Sequence, residues 1–130
     1  MTPFKFVPHT ADIAAELVAA DEAGLRQAGL DALRELLVGS SPVAPRERRP
    51  VPLRGADPTE RLVHFLQDAL YLFDTDRFVP ARASDAGIAG EPFDPARHEP
   101  RPEVKAVTFH GADVQQGADG RLHATIVFDV

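Results

Sequence analysis

The sequence predicts an α+β fold, a largely antiparallel sheet with two main helices packed on it, and three observations carry that expectation. Short stretches of alternating apolar and polar residues lie near both ends of the chain. Two longer stretches repeat apolar residues at helical spacing. Strand-like stretches follow one another in runs instead of alternating strictly with helices, which argues against a doubly wound parallel sheet. The 130 residues, 44% hydrophobic and 26% charged, suffice for one hydrophobic core and not for two, so a single domain over residues 1–130 is expected.

In chain order, Phe4 and Phe6 flank Lys5, and Ile13, Ala15, Leu17 and Ala19 resume the two-residue period after His9-Thr10-Ala11-Asp12, giving strand, turn, strand. Asp21 can cap a first helix whose Leu25, Leu30, Leu33, Leu36 and Leu37 share a face and which ends at Gly39; Gly24 and Gly29 weaken it. Pro42, Pro45, Pro50 and Pro52 confine the next stretch to a solvated loop or an edge strand. Asp57-Pro58-Thr59-Glu60 combines a capping acid, a proline at the first helical position and a glutamate three residues after the cap. A second helix therefore begins at Pro58, with Leu62, Phe65, Leu66, Ala69, Leu72 and Phe73 as its apolar stripe. Short strands are predicted around Phe78–Ser84 and Gly87–Gly90, then a loop from Glu91 to Pro102. Two closing strands cover Val104–His110 and, after Gly117–Gly120, the alternating run from Leu122 to Asp129.

Fourteen basic and twenty acidic residues give a formal charge of -6, the wrong sign for attraction to phosphate backbones, so no strong direct nucleic-acid binding is expected. Cysteine is absent, which excludes disulfides, thiolate metal sites and a cysteine nucleophile and makes the cytoplasm the expected compartment. Residues 1–20 carry Pro3, Lys5, Pro8, His9, Asp12 and Glu16 and resemble neither a signal peptide nor a membrane span, so no membrane association is expected. There is no phosphate-binding glycine loop, dinucleotide fingerprint or HExxH pair, and Ser40, Ser41 and Ser84 have no base nearby in sequence. His64 and His123 read as incidental.

Three places could carry chemistry. His9 and Asp12 sit in a short polar turn, where side chains can converge on an ion or simply satisfy turn backbone groups. Asp129 and the terminal Val130 offer carboxylate oxygens suited to a hard cation, or form an ordinary chain end. If that end pairs near Asp12, the crowded carboxylates repel one another unless a cation joins them. The stretch from Gly90 to Pro100, leading into Glu103–His110, sets Arg97, His98, Lys105 and His110 beside acids; it can bind an anion or orient a partner, or be a solvated, salt-bridged loop. A small stand-alone metal-dependent hydrolase on His9, Asp12, His110 and Asp129 is the rival reading. An RNA-binding module on Arg46, Arg48 and Arg49 is a weaker one.

His9-Thr10-Ala11-Asp12-Ile13, Leu70–Asp76, Gly90-Glu91 through Arg97-His98-Glu99, Glu103–His110 and Phe128-Asp129-Val130, in this order, resemble the archease family. That resemblance implies an α+β domain that is not itself an enzyme but serves RtcB-type RNA ligases in tRNA splicing and RNA repair. These ligases use GTP and a divalent metal, and the accessory protein promotes their guanylylation and multiple turnover, so GTP enters only through the ligase. By position, the resemblance assigns metal binding to Asp12, Asp129 and Val130 and ligase activation to Lys105; His9, Arg97, His98 and His110 are supporting candidates from the reading of the residues themselves. The implied cofactor is a divalent ion, with Ca²⁺, Mg²⁺ and Mn²⁺ equally suited to oxygen donors.

Overall fold

The computed structural model describes residues 3–8, 12–101 and 104–130. Its elements run β1 (Phe4–Pro8), β2 (Asp12–Ala19), α1 (Glu22–Val38), β3 (Glu47–Pro50), α2 (Pro58–Asp76), β4 (Phe78–Ser84), β5 (Gly87–Pro92), β6 (Ala106–Thr108), β7 (Gln115–Gln116) and β8 (Leu122–Asp129). The α+β architecture is as the periodicities predict, and every strand pair among the described residues is antiparallel. The strands divide into two sheets. One has the order β1-β2-β8-β6 with β7 also on β8, and the other has the order β3-β5-β4.

Both helices start where their capping residues dictate. Asp21 is extended and accepts the Gly24 N–H at 2.8 Å, and Gly39, at φ 62°, closes α1 by donating to Glu35 O at 2.9 Å. Gly29 weakens α1 as an isolated helix, yet a Cβ there would lie 2.7 Å from Leu66 Cδ1, so its bareness allows α1 and α2 to approach. At α2, Asp57 accepts the Glu60 N–H at 2.8 Å, while the Glu60 carboxylate reaches Ala56 N–H, one residue before the cap. Glu22 and Arg61 then tie the two helices together through a two-pronged ion pair at 2.9 and 3.1 Å.

The helices pack against both sheets, α1 on β2 and β4, α2 on β6 and β4. Ala15 and Leu17 of β2, Ile126 and Phe128 of β8, Phe78 of β4 and Ile88 of β5 join Leu30, Leu33, Phe65 and Leu66 in one contiguous core. The smaller sheet stays separate because both its edges are blunted. Pro50 lies on β3, and a bulge between Pro80 and Arg82 interrupts β4. Side chains of α1 satisfy that bulge: Gln27 accepts Ala83 N–H at 2.7 Å and donates to Ala81 O at 3.2 Å, and Arg34 donates to Ala81 O at 3.0 Å.

Three elements differ from expectation. β5 continues through Glu91 to Pro92, because Glu91 is buried and paired instead of solvated. The strand expected from Val104 to His110 contracts to Ala106–Thr108, since β8 offers it partners only from Asp129 to Val127. The two-residue β7 carries no apolar alternation by which the sequence could have announced it.

Gln27→Leu keeps the helix propensity of α1 but leaves Ala83 N–H without its acceptor. Urea unfolding is expected to show a loss of about 1–3 kcal/mol with an unchanged m-value.

Candidate functional site

The core fixes a row of chain groups at one end of the larger sheet. Burying Ala15 and Leu17 on the same face as Ile126 and Ala124 permits one register for β2 against β8, because a slip of one residue turns every side chain over. That register sets Ile13 opposite Phe128 and, one step outward, Asp12 opposite Asp129. Directly opposed residues present their side chains on the same face, with Cβ atoms about 4.5–5.5 Å apart. The two half-buried acids therefore share the sheet face opposite Phe128. The next pair on that face, Ala14 and Val127, is 2% and 3% exposed, so the carboxylates border apolar surface, where charge interactions are strengthened.

β6 completes the row. Ala106 is the register partner of Asp129, and Lys105 N–H donates to Asp129 O at 2.7 Å. Val104 is buried in the core, whereas Lys105 is exposed. Val130 follows Asp129 and is 38% exposed. Asp12, Asp129 and Ala106 thus form one row across three adjacent strands, with Val130 directly after the end of β8 and Lys105 directly before the start of β6. His9 lies outside the described residues. His110 is exposed beyond the end of β6, four residues past the register partner of Asp129, up to about 13 Å along the strand direction.

No group of three or more His, Cys, Asp or Glu side chains positioned to hold a metal occurs among the described residues. The donor set nevertheless fits a hard divalent cation in kind: two aspartates that are register partners, with the oxygens of Val130 one residue further along the chain. It is a partial set, leaving coordination positions for water or a partner's ligand.

Arg97 and His98 belong to a different centre. Glu91, 1% exposed, accepts Ala44 N–H at 2.8 Å and His98 Nε2 at 3.2 Å on one oxygen, and Arg46 at 3.2 Å and Arg97 on the other. Asp94 N–H donates to His98 Nδ1 at 2.9 Å, so in the neutral ring the proton sits on Nε2 and points at Glu91. Burial pushes the Glu91 carboxyl up, but the hydrogen bonds from Ala44, Arg97 and His98 outweigh it and bring the pKa down to about 2. This carboxylate clamps the loop before β3, strand β5 and the 94–98 turn together. Sequence reasoning missed its burial; the signal was Glu91 directly following the apolar strand run that ends at Gly90. Of the three arginines weighed for RNA binding, Arg46 is engaged by Glu91, and Arg49 pairs with Glu47 and lies over the Phe78 ring. Among the described residues no helix is long and apolar enough to cross a membrane.

The family model described as "Archease protein family (MTH1598/TM1083)" matches residues 4–130. The chain is 30% identical to a protein archease of Pyrococcus abyssi over the whole of both chains. It is 31% identical to one of Methanopyrus kandleri, over 98% of this chain and 99% of that one. Among solved structures, the solution structure of Methanobacterium thermoautotrophicum protein 1598 superimposes with a TM-score of 0.79 at 26% identity, covering all of both chains. The crystal structure of a Thermotoga maritima archease, described as a possible chaperone, gives 0.72 at 21% identity over 97% and 96% of the two chains, a likeness of fold.

Glu91→Gln is expected to remove about 1–3 kcal/mol at pH 7, since it leaves the buried His98 and the Ala44 N–H facing a neutral group and the exposed Arg46 and Arg97 without their charged acceptor. The depressed carboxyl also sets a pH window. Wild-type stability from Glu91 is complete above an unfolded pKa near 4.5 and drains away as pH falls toward about 2. Denaturation midpoints measured from pH 6 to pH 2 should fall more steeply for wild type than for Glu91→Gln.

Proposed function

Because this chain belongs to the archease family, we propose that it is a non-enzymatic accessory protein of an RtcB-type RNA ligase, active in tRNA splicing and RNA repair, that promotes ligase guanylylation and multiple turnover. The observation that carries the reading is the row across β2, β8 and β6, in which Asp12 and Asp129 are register partners and Lys105 is bonded through its backbone to Asp129. An accessory protein needs groups that can be presented to another active site, and this row ends at the sheet margin with Lys105 and Val130 exposed. A net charge of -6 suits a protein partner better than an RNA one.

In this reading Asp12 and Asp129, with an oxygen of Val130, hold a divalent cation, and Lys105 brings an ammonium group beside it. When bound, the cation supplies positive charge that can compensate a polyphosphate during nucleotidyl transfer. Asp12 and Asp129 contribute fixed oxygens on paired strands, so little ordering is required when the site meets its partner. Lys105 is anchored by its main chain while its side chain is exposed, which leaves the ammonium group able to reach an anionic group on the ligase. The partner's active site, not this chain, performs the chemistry.

Substoichiometric addition of this protein to an RtcB-type ligase with GTP, Mn²⁺ and excess cleaved RNA is expected to raise ligations per ligase many-fold. Asp12→Ala, Asp129→Ala and Lys105→Ala should each return the count to that of the ligase alone. Ligase binding measured in parallel separates the roles: a variant that binds but fails to activate lacks the charge, whereas one that no longer binds lacks the contact. An unchanged ligation count with the wild-type protein would overturn the reading.

A further inference from the structure

A cleft of about 680 Å³ opens between the C-terminal ends of α1 and α2, the 93–101 segment and the start of the chain into β6. That volume lies in the range of small-molecule sites. Its walls are apolar, formed by Leu37, Phe73, Phe93 and Val104, with Phe73 and Phe93 meeting edge to face at 6.4 Å. Arg77 and Arg101 also line the cleft, beside one acid, Asp74.

Neither arginine is consumed by a strong partner. Arg101 has an exposed, 3.7 Å contact with Glu99, the kind of pair that contributes little. Among the described residues, Arg77 pairs with no carboxylate, and its guanidinium carbon lies over the Phe73 ring, 5.1 Å from the centroid. The plain alternative is that these cations complement the negative helix ends. Those ends are already served by backbone donors: Gly39 N–H on Glu35 O, and Arg77 N–H on Leu72 O and Phe73 O. Arg77 is also the one non-glycine residue with positive φ among the described residues, at 53°, a conformation that glycine adopts more readily. A guanidinium held over a ring keeps edge N–H donors able to take a carboxylate or phosphate in a fork.

We propose that this cleft binds an organic anion with one aromatic or branched aliphatic body, the body against Phe73 and Phe93 and the carboxylate or phosphate between Arg77 and Arg101. The proposal is independent of the ligase reading. The anion can belong to a free small acid or to the carboxyl end of a peptide chain; both present the same chemistry to the cleft.

Amide-resolved NMR titrations of the full chain test it with three probes: N-acetyl-L-phenylalanine, its neutral amide, and a glycine peptide ending in phenylalanine with a free carboxylate. Saturable one-to-one shifts at Phe73, Arg77, Phe93 and Arg101 are expected for at least one acid. The neutral amide should bind about tenfold more weakly or worse, and Arg77→Gly and Arg101→Gln should each lose about tenfold in affinity. Arg77→Gly suits the local backbone, and retained dispersion of the spectra reports that each variant folds. Tighter binding of the free acid assigns the site to small molecules; equal or tighter binding of the peptide assigns it to a chain end. No saturable binding, equal binding of the neutral amide, or affinity unchanged in both arginine variants overturns the proposal.

Discussion

The antiparallel register of β2 on β8 is the constraint from which the candidate site follows. Ala15, Leu17, Ile126 and Phe128 are buried in the same core, and a strand pair with one face buried tolerates no slip. The carboxylates of Asp12 and Asp129 are opposed as a by-product of packing several residues away. Opposed like charges weaken a strand pair, and here the burial of Ala14, Ala15 and Leu17 offsets that penalty. A site created this way is rigid, because moving either acid means moving the core.

The same division of labour appears in the second polar centre. Glu91, buried among Ala44 N–H, Arg46, Arg97 and His98, joins the loop before β3, strand β5 and the 94–98 turn. Its two oxygens serve four donors, which satisfies the carboxylate well enough to keep it ionised despite burial. The proline- and charge-rich stretch from Glu91 to Pro100 is thereby a folded buttress of the smaller sheet. His98, ringed by Phe93 and Glu91, is held with its proton-bearing nitrogen turned inward.

Much of the fold was legible because it rests on local chemistry. Asp21, Gly39, Asp57 and Pro58 mark the helix limits by backbone needs that the sequence states directly. The alternation from Leu122 to Asp129 states the two faces of β8. What escaped was set by distant partners. Glu91 looks like a loop residue until Arg97 and His98 fold over it, and the division into two sheets depends on a bulge at Ala81 that Gln27 and Arg34 satisfy from another element. At the site, Asp12 and Asp129 could be named in sequence only through family likeness and a guess that the chain end returns to the first turn. Their being register partners is a consequence of hydrophobic parity summed over two strands. Arg77 carried no sequence signal, since a left-handed residue after Asp76 would ordinarily be read as glycine.

If the β2/β8 register forms a hard-cation site at Asp12 and Asp129, a bound paramagnetic ion must act first on the residues around that pair. Titrating trace Mn²⁺ into isotopically labelled protein and mapping paramagnetic broadening tests it directly. The amides of Asp12, Ile13, Phe128, Asp129, Lys105 and Ala106 are expected to broaden first, those of β3 and the Glu91 cluster to stay sharp, and Asp12→Asn to abolish the pattern. Broadening centred elsewhere, or unchanged in Asp12→Asn, would contradict it.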